Sequence, residues 1–142
     1  MGISTRYLAS SAKTQVISIE GSEEIRRTAM KDADTYPIEF VLGEIKEVLP
    51  GILQEIDSID FALIDANHTY EGTMENYGMV RPFTHPKTIL VIADIHWSKG
   101  MERAWNEIRN QPEIKLSIDL YEAGILFFDA PFEKAEHLVL SI

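Results

Sequence analysis

The sequence predicts an α/β domain built on a doubly wound, mostly parallel sheet, and three observations carry that prediction. Strand-like and helix-like patterns alternate along the whole chain, without repeats, low complexity or a linker. Two runs, Phe61-Ala62-Leu63-Ile64 and Thr88 to Ala93, carry the apolar signature of parallel strands buried on both faces. Four successive runs then end in Glu20, Gly43, Asp65 and Asp94. At 142 residues the chain has the size of one domain, and a single domain over 1–142 is expected.

The first helix is expected over Ser4 to Ala12, with Ser4 as its N-cap. Val16 to Ile19 reads as a strand ending at Glu20-Gly21. Ser22 caps a helix whose first turn holds Glu23 and Glu24, where acids suit the helix dipole. Ile38 to Leu42 is a second strand closed by Gly43. Ile45, Val48, Leu49, Ile52, Leu53 and Ile56 share one helical face. Pro50 predicts a short turn followed by a helix with the proline in its first turn. Tyr70 to Val80 is a helix with Tyr70, Met74 and Tyr77 aligned, and Pro82 and Pro86 mark a loop before the strand at Thr88. Ser98 to Asn110 is a helix with Met101, Ala104, Trp105 and Ile108 inward. Ile114, Leu116, Ile118 and Leu120 alternate with Lys115, Ser117 and Asp119, as in a half-exposed strand near a sheet edge. Gly124 to Phe128 should pair with it antiparallel, and the end of the chain, with Leu138 to Leu140, suits an added edge strand or an oligomer contact.

Composition narrows the function. Net charge is -10, from 23 acidic and 13 basic residues, and the basic residues do not cluster into a patch for phosphates. A nucleic-acid partner is therefore not expected, and a small molecule fits better. The chain has no cysteine, which suits a cytoplasmic location, and no stretch approaches the roughly 18 apolar residues that cross a bilayer, so no membrane partner is expected.

In open α/β sheets ligands sit beyond the carboxyl ends of the strands. There Glu20 could accept both hydroxyls of a ribose, and Gly43 could let a flat base approach the backbone. Acids at strand ends also form turns, so each signal alone is weak. Glu20, Gly43, Asp65 and Asp94 are expected to converge on one cleft.

The residues then resemble a known family. Gly2-Ile3-Ser4-Thr5-Arg6-Tyr7-Leu8-Ala9 looks like the second half of the glycine-rich cofactor loop, and the helix after it, of class I S-adenosylmethionine-dependent methyltransferases. Ser18-Ile19-Glu20-Gly21 resembles their second strand with its ribose-binding acid, and Leu42-Gly43-Glu44 sits where they hold adenine. Ile64-Asp65-Ala66-Asn67-His68-Thr69-Tyr70-Glu71 resembles the Asp-Gly-x-His-x-Tyr-Glu element of a subgroup that includes small-molecule O-methyltransferases. Val91-Ile92-Ala93-Asp94-Ile95-His96-Trp97 is similar to that subgroup's fifth strand. The resemblance implies a Rossmann-like methyltransferase fold and S-adenosylmethionine as cofactor. It places Gly2, Ser4, Glu20, Gly43, Glu44 and Asp65 around that cofactor, with His68, His96 and Asp94 facing a small-molecule methyl acceptor.

Two departures stand out. Ala66 replaces the usual glycine and could crowd its loop. On this alignment the chain also begins partway through the cofactor loop, with the family's first strand and its terminal acid absent. A homo-oligomer or an exchanged strand is expected in that strand's place, with residues 137–142 as one candidate to fill it. A divalent metal on Asp65, His68, Asp94 and His96 is an option that is not favoured, since an extended backbone would turn Asp94 and His96 the same way but loop-holding explains these residues as well. The expected activity is methyl transfer to an oxygen or nitrogen. The rivals are a non-catalytic remnant or interaction module of the same fold and a metal-dependent hydrolase.

Overall fold

A computed structural model describes residues 2–10, 15–31, 33, 35–131 and 133–140. The chain divides into two compact units, Met1–Glu55 and Ile56–Ile142. In the first unit, α1 (Ile3–Ala9), β1 (Val16–Glu20), α2 (Glu23–Met30), β2 (Ile38–Leu42) and α3 (Ile45–Gln54) follow one another. β1 and β2 pair in parallel from Val16↔Ile38 to Glu20↔Leu42, so Glu20 and Gly43 leave the sheet at the same end. Ser22 caps α2 by accepting the Ile25 N–H, as its sequence predicts.

Two expectations change in this unit. The N-cap of α1 is Gly2, not Ser4, because Gly2 adopts a left-handed φ of 73° that suits glycine. No other residue fits there, since a Cβ on Gly2 would come within 2.9 Å of the Ala29 Cβ. Ser4 lies within the helix, and the expected end at Ala12 lies outside the described residues. Pro50 does not split α3, which runs unbroken past it. A proline in a helix removes one i→i−4 donor, and this short helix absorbs the loss.

The second unit holds β3 (Ile59–Ile64), α4 (Tyr70–Val80), a 3-10 turn (Arg81–Phe83), β4 (Thr84–Ala93), α5 (Lys99–Arg109), β5 (Leu116–Asp119), β6 (Ala123–Phe127) and β7 (Glu136–Val139). The sheet order is β3-β4-β6-β5-β7. β3 pairs with β4 and β5 with β7 in parallel, while β6 is antiparallel to both its neighbours. Four of the five strands therefore share one direction, and β6 is the expected reversed strand. β7 is the added edge strand anticipated near Leu138, so the described part of 137–142 pairs with β5 and fills no gap elsewhere.

One face of this sheet is the core. Leu90, Ile92 and Leu126 are fully buried, and α5 supplies Met101, Ala104, Trp105 and Ile108, the face its periodicity predicts. Gly124 is glycine because the Trp105 ring lies against it: an added Cβ would be 2.5 Å from Cζ3. β3 departs from its expectation. It is an edge strand, and Phe61 and Leu63 on its other face stay exposed although the run reads as buried on both sides. β4 begins earlier than predicted, at Thr84, and takes in Pro86 where its register against β3 slips between Ile59↔Thr84 and Phe61↔Ile89. The slip leaves a site without a ladder bond for the proline to break. On α4 the buried side is Gly72, Thr73, Asn76, Tyr77 and Val80 rather than the stripe of Tyr70 and Met74. Thr73 is tolerated there because its hydroxyl donates to the Met101 sulfur at 3.2 Å.

Two measurements probe this packing. Gly124→Ala should lower the unfolding free energy by about 1–3 kcal/mol, the usual cost of overpacking, and urea denaturation reads it. Tyr77 Oη donates to Glu113 Oε1 at 3.0 Å, and Arg81 Nε pairs with the same oxygen. Burial alone would raise the Glu113 carboxyl, but Arg81 and then Tyr77 hold it below its ordinary value of 4.5. A carboxyl with a lowered folded pKa stabilises above its unfolded value, and that stability is lost as pH falls through the folded one. Glu113→Gln should therefore cost about 1–3 kcal/mol at neutral pH, with the gap to wild type closing as pH drops below 4.5.

Candidate functional site

The parallel pairing of β3 and β4, with Ile64 opposite Ile92, sends Asp65 and Asp94 off the same end of the sheet. Neither residue continues as extended chain. After Asp65, Asn67 and His68 take left-handed φ values of 64° and 34°, which curl the loop back before Thr69 caps α4 on Gly72 N–H. Ala66 is not among the left-handed residues, so replacing the usual glycine imposes no backbone strain there. Asp94 itself is left-handed, at φ 54°, and its carbonyl accepts the Trp97 N–H at 2.9 Å. That turn is what brings Asp94 to His68.

The result is a three-residue cluster. Asp94 Oδ2 lies 3.3 Å from His68 Nδ1, and Asp65 Oδ1 lies 3.8 Å from His68 Nε2. One ligand atom from each of Asp65, His68 and Asp94 falls within 4.8 Å of the others, a spacing that one divalent cation could bridge. All three side chains are partly open to solvent. The exposed Trp97 ring lies beside His68, tilted by 44° with the ring centroids 6.2 Å apart. Beside them an open groove of about 450 Å³ is lined by His68, Thr69, Tyr70, Glu71, Ser98, Lys99, Gly100 and Arg103. Tyr70 is not free to meet a ligand with its hydroxyl, which donates to Glu107 at 2.6 Å while Arg103 stacks on the ring at 4.1 Å. Trp105 is core, as its helical register predicts.

His96 does not join this cluster. The expectation that Asp94 and His96 point the same way assumes an extended backbone, and the turn at Asp94 removes that premise. His96 instead places Nε2 2.9 Å from Asp119 Oδ2 and Nδ1 3.5 Å from Glu102 Oε1, and its ring stacks on Tyr121 at 5.2 Å. Burial would lower the His96 pKa, but the bonds and charge of Asp119 and then Glu102 outweigh it and raise the pKa. Asp119 is buried. Burial pushes its carboxyl up, while the Tyr121 amide and His96 pull it further down, to below the ordinary carboxylate range. Sequence reasoning treated Asp119 as a solvent-facing residue of an alternating strand. The missed signal was that β5 also ends in an acid, at the same end of the sheet as Asp94.

In the first unit, Glu20 ends β1 and its carbonyl accepts the Gly43 N–H at 3.0 Å. Gly43 has φ 150°, and a Cβ there would meet Val48 Cγ1 at 2.6 Å, so glycine is required on both counts. Glu44 Oε1 lies close over Gly21, 3.5 Å from where a Cβ would stand. Two carboxylates and two glycines thus share the carboxyl end of this sheet. Gly2 and Ser4 lie at the start of α1.

Comparison with known proteins gives this arrangement a family. A family model described as a methyltransferase domain matches residues 1–95. No curated protein matches the chain. Among solved structures, an O-methyltransferase from Bacillus cereus in complex with SAH superposes with a TM-score of 0.69 at 19% identity, covering 87% of this chain and 67% of that one. The cofactor-bound protein Rv0187 from MTB gives 0.69 at 14% identity, covering 89% and 68%. The apo TDP-rhamnose 3′-O-methyltransferase CalS11 of calicheamicin biosynthesis gives 0.60 at 16% identity, covering 86% and 61%. The chain spans about two thirds of the length of these structures, and at such identities the likeness is one of fold. Because the family match extends over more than half of its residues, the chain belongs to the methyltransferase domain family.

Proposed function

We propose that the chain transfers a methyl group from S-adenosylmethionine to an oxygen or nitrogen of a small-molecule acceptor. The observation that carries this reading is the cluster of Asp65, His68 and Asp94 at the carboxyl ends of two parallel strands, in a chain of the methyltransferase domain family. The names of the similar structures, O-methyltransferases, support oxygen as the acceptor atom.

The donor set at the end of β1 and β2 fits such a cofactor. Glu20 supplies two acceptor oxygens for the vicinal hydroxyls of a ribose. Gly43 carries no side chain to stand against a flat base, and Glu44 flanks the same edge. The family resemblance assigns Gly2, at the N-cap of α1, and Ser4, within that helix, to the rest of the cofactor, and Asp65 to its methionine end. The cofactor, when bound, supplies an activated methyl group on sulfur. The chain's own residues then align the acceptor and exclude water.

His68 is the general base. Asp94, 3.3 Å from Nδ1, favours a proton on that nitrogen and leaves Nε2 to accept one from the acceptor hydroxyl. Asp65 near Nε2 then stabilises the charged ring. The spacing of the three residues favours one second reading, in which a divalent cation orients the hydroxyl. In that case His68 would be a ligand and not a base, and a chelator would abolish transfer. Under the base mechanism the rate is insensitive to chelator.

Glu20→Ala should weaken S-adenosylhomocysteine binding by about 1.5–3 kcal/mol, the cost of losing hydrogen bonds to a charged group. Isothermal titration reads this, and an unchanged dissociation constant removes Glu20 from the site. His68→Ala should lower kcat by about 10²–10⁴ while leaving that dissociation constant near wild type. A wild-type chain that binds no S-adenosylhomocysteine would favour the non-catalytic module instead.

A further inference from the structure

We infer that Asp119 and His96 are positioning residues: they hold the turn after β4 so that Asp94 aims its carboxylate at His68. A left-handed aspartate is an uncommon conformation that persists only where its surroundings impose it. The surroundings of Asp94 can be followed bond by bond. Its N–H donates to the Glu122 carbonyl, and its own carbonyl accepts from Trp97. Ile95, the next residue, has its side chain fully buried. His96 is then tied across to the neighbouring strand by the 2.9 Å contact with Asp119.

Asp119 is suited to be the fixed end of this tether. It terminates β5, is buried, and has both carboxylate oxygens engaged: Oδ1 accepts the Tyr121 N–H at 2.9 Å and Oδ2 faces His96. Tyr121 is also left-handed, at φ 71°, and its ring stacks on the His96 imidazole. One buried carboxylate thus holds the turns after β4 and after β5 together. Removing it unties His96 from the neighbouring strand and loosens the turn that keeps Asp94 from running on as extended chain, where its carboxylate would leave His68.

The consequence for catalysis rests on the proposed role of His68, but the tether itself does not, and the test separates the two. In protein labelled with nitrogen-15 in histidine, the ring signals of His68 report its contact with Asp94 at one fixed pH. Asp94→Asn sets the size of the shift when that contact is lost. Asp119→Asn and His96→Leu, in variants whose thermal unfolding stays cooperative, should move the His68 signals in the same direction and at least half as far. His96→Gln, which keeps a donor near the Nε2 position, should leave them at the wild-type values. Either substitution added to Asp94→Asn should cause no further movement. His68 signals that stay in place in both Asp119→Asn and His96→Leu would overturn the inference, because a merely local role for the pair predicts that result. Should both variants fail to fold, wild-type protein still decides: a hydrogen-bonded ring proton on His96 Nε2 is required, and its absence overturns the tether. For activity, Asp119→Asn should lower kcat about tenfold or more at unchanged KM for S-adenosylmethionine. A chain that shows the His68 shifts yet binds no S-adenosylhomocysteine would sink the proposed function and leave the tether standing.

Discussion

Much of the second unit depends on the contact between the Trp105 ring and Gly124. A tryptophan can lie flat on a sheet only where the strand beneath it lacks a side chain, and Gly124 provides that gap in β6. With α5 seated there, Leu90, Ile92 and Leu126 lose all exposure, and their burial, at about 25 cal/mol per Å² of apolar surface, is the main favourable term holding the strands in order. That order carries β3 and β4 to one end in register. Asp65 and Asp94 then emerge side by side from a rigid base, the condition under which two loops can hold a defined geometry.

The chemistry is concentrated where the backbone departs from regularity. Among the described residues, the left-handed non-glycine positions are Asn67, His68, Asp94 and Tyr121, and all four lie in loops of this unit. Three of them are held by something specific nearby. Asn67 packs so tightly on the start of α4 that only glycine fits at position 72, and Asp94 and Tyr121 are bound into turns by backbone and carboxylate partners. Strain of this kind points from an observed outlier toward function, and here it coincides with the group of Asp65, His68 and Asp94, one ligand atom from each of which lies within 4.8 Å of the others.

Much of this was legible in the residues. The inward face of α5, the limits of β2 and α4, the reversal of β6 and the edge position of β7 all follow from periodicity and turn chemistry that tertiary packing then reinforces. The failures have physical causes. The apolar run of β3 cannot tell a central strand from an edge strand, because hydropathy records what a surface could bury and not what covers it. In β5 the alternation is correct but its sense is inverted: Ser117 and Asp119 are the buried residues, since His137 pairs with Ser117 at 2.7 Å and His96 with Asp119. A polar residue with a partner distant in sequence looks the same as a solvent-facing one. The same blindness sent His96 to the wrong partner, because spacing of two residues means a shared direction only while the chain stays extended.

The claim that matters most is that the carboxyl end of the β1–β2 sheet receives the adenosyl part of the methyl donor. Its most direct measurement is a titration of S-adenosylhomocysteine into nitrogen-15-labelled protein, read at the backbone amides. The amides of Gly21, Gly43 and Glu44 should shift progressively and saturate near one equivalent of ligand. Amides at these three positions that do not move, at ligand concentrations where others do, would contradict it.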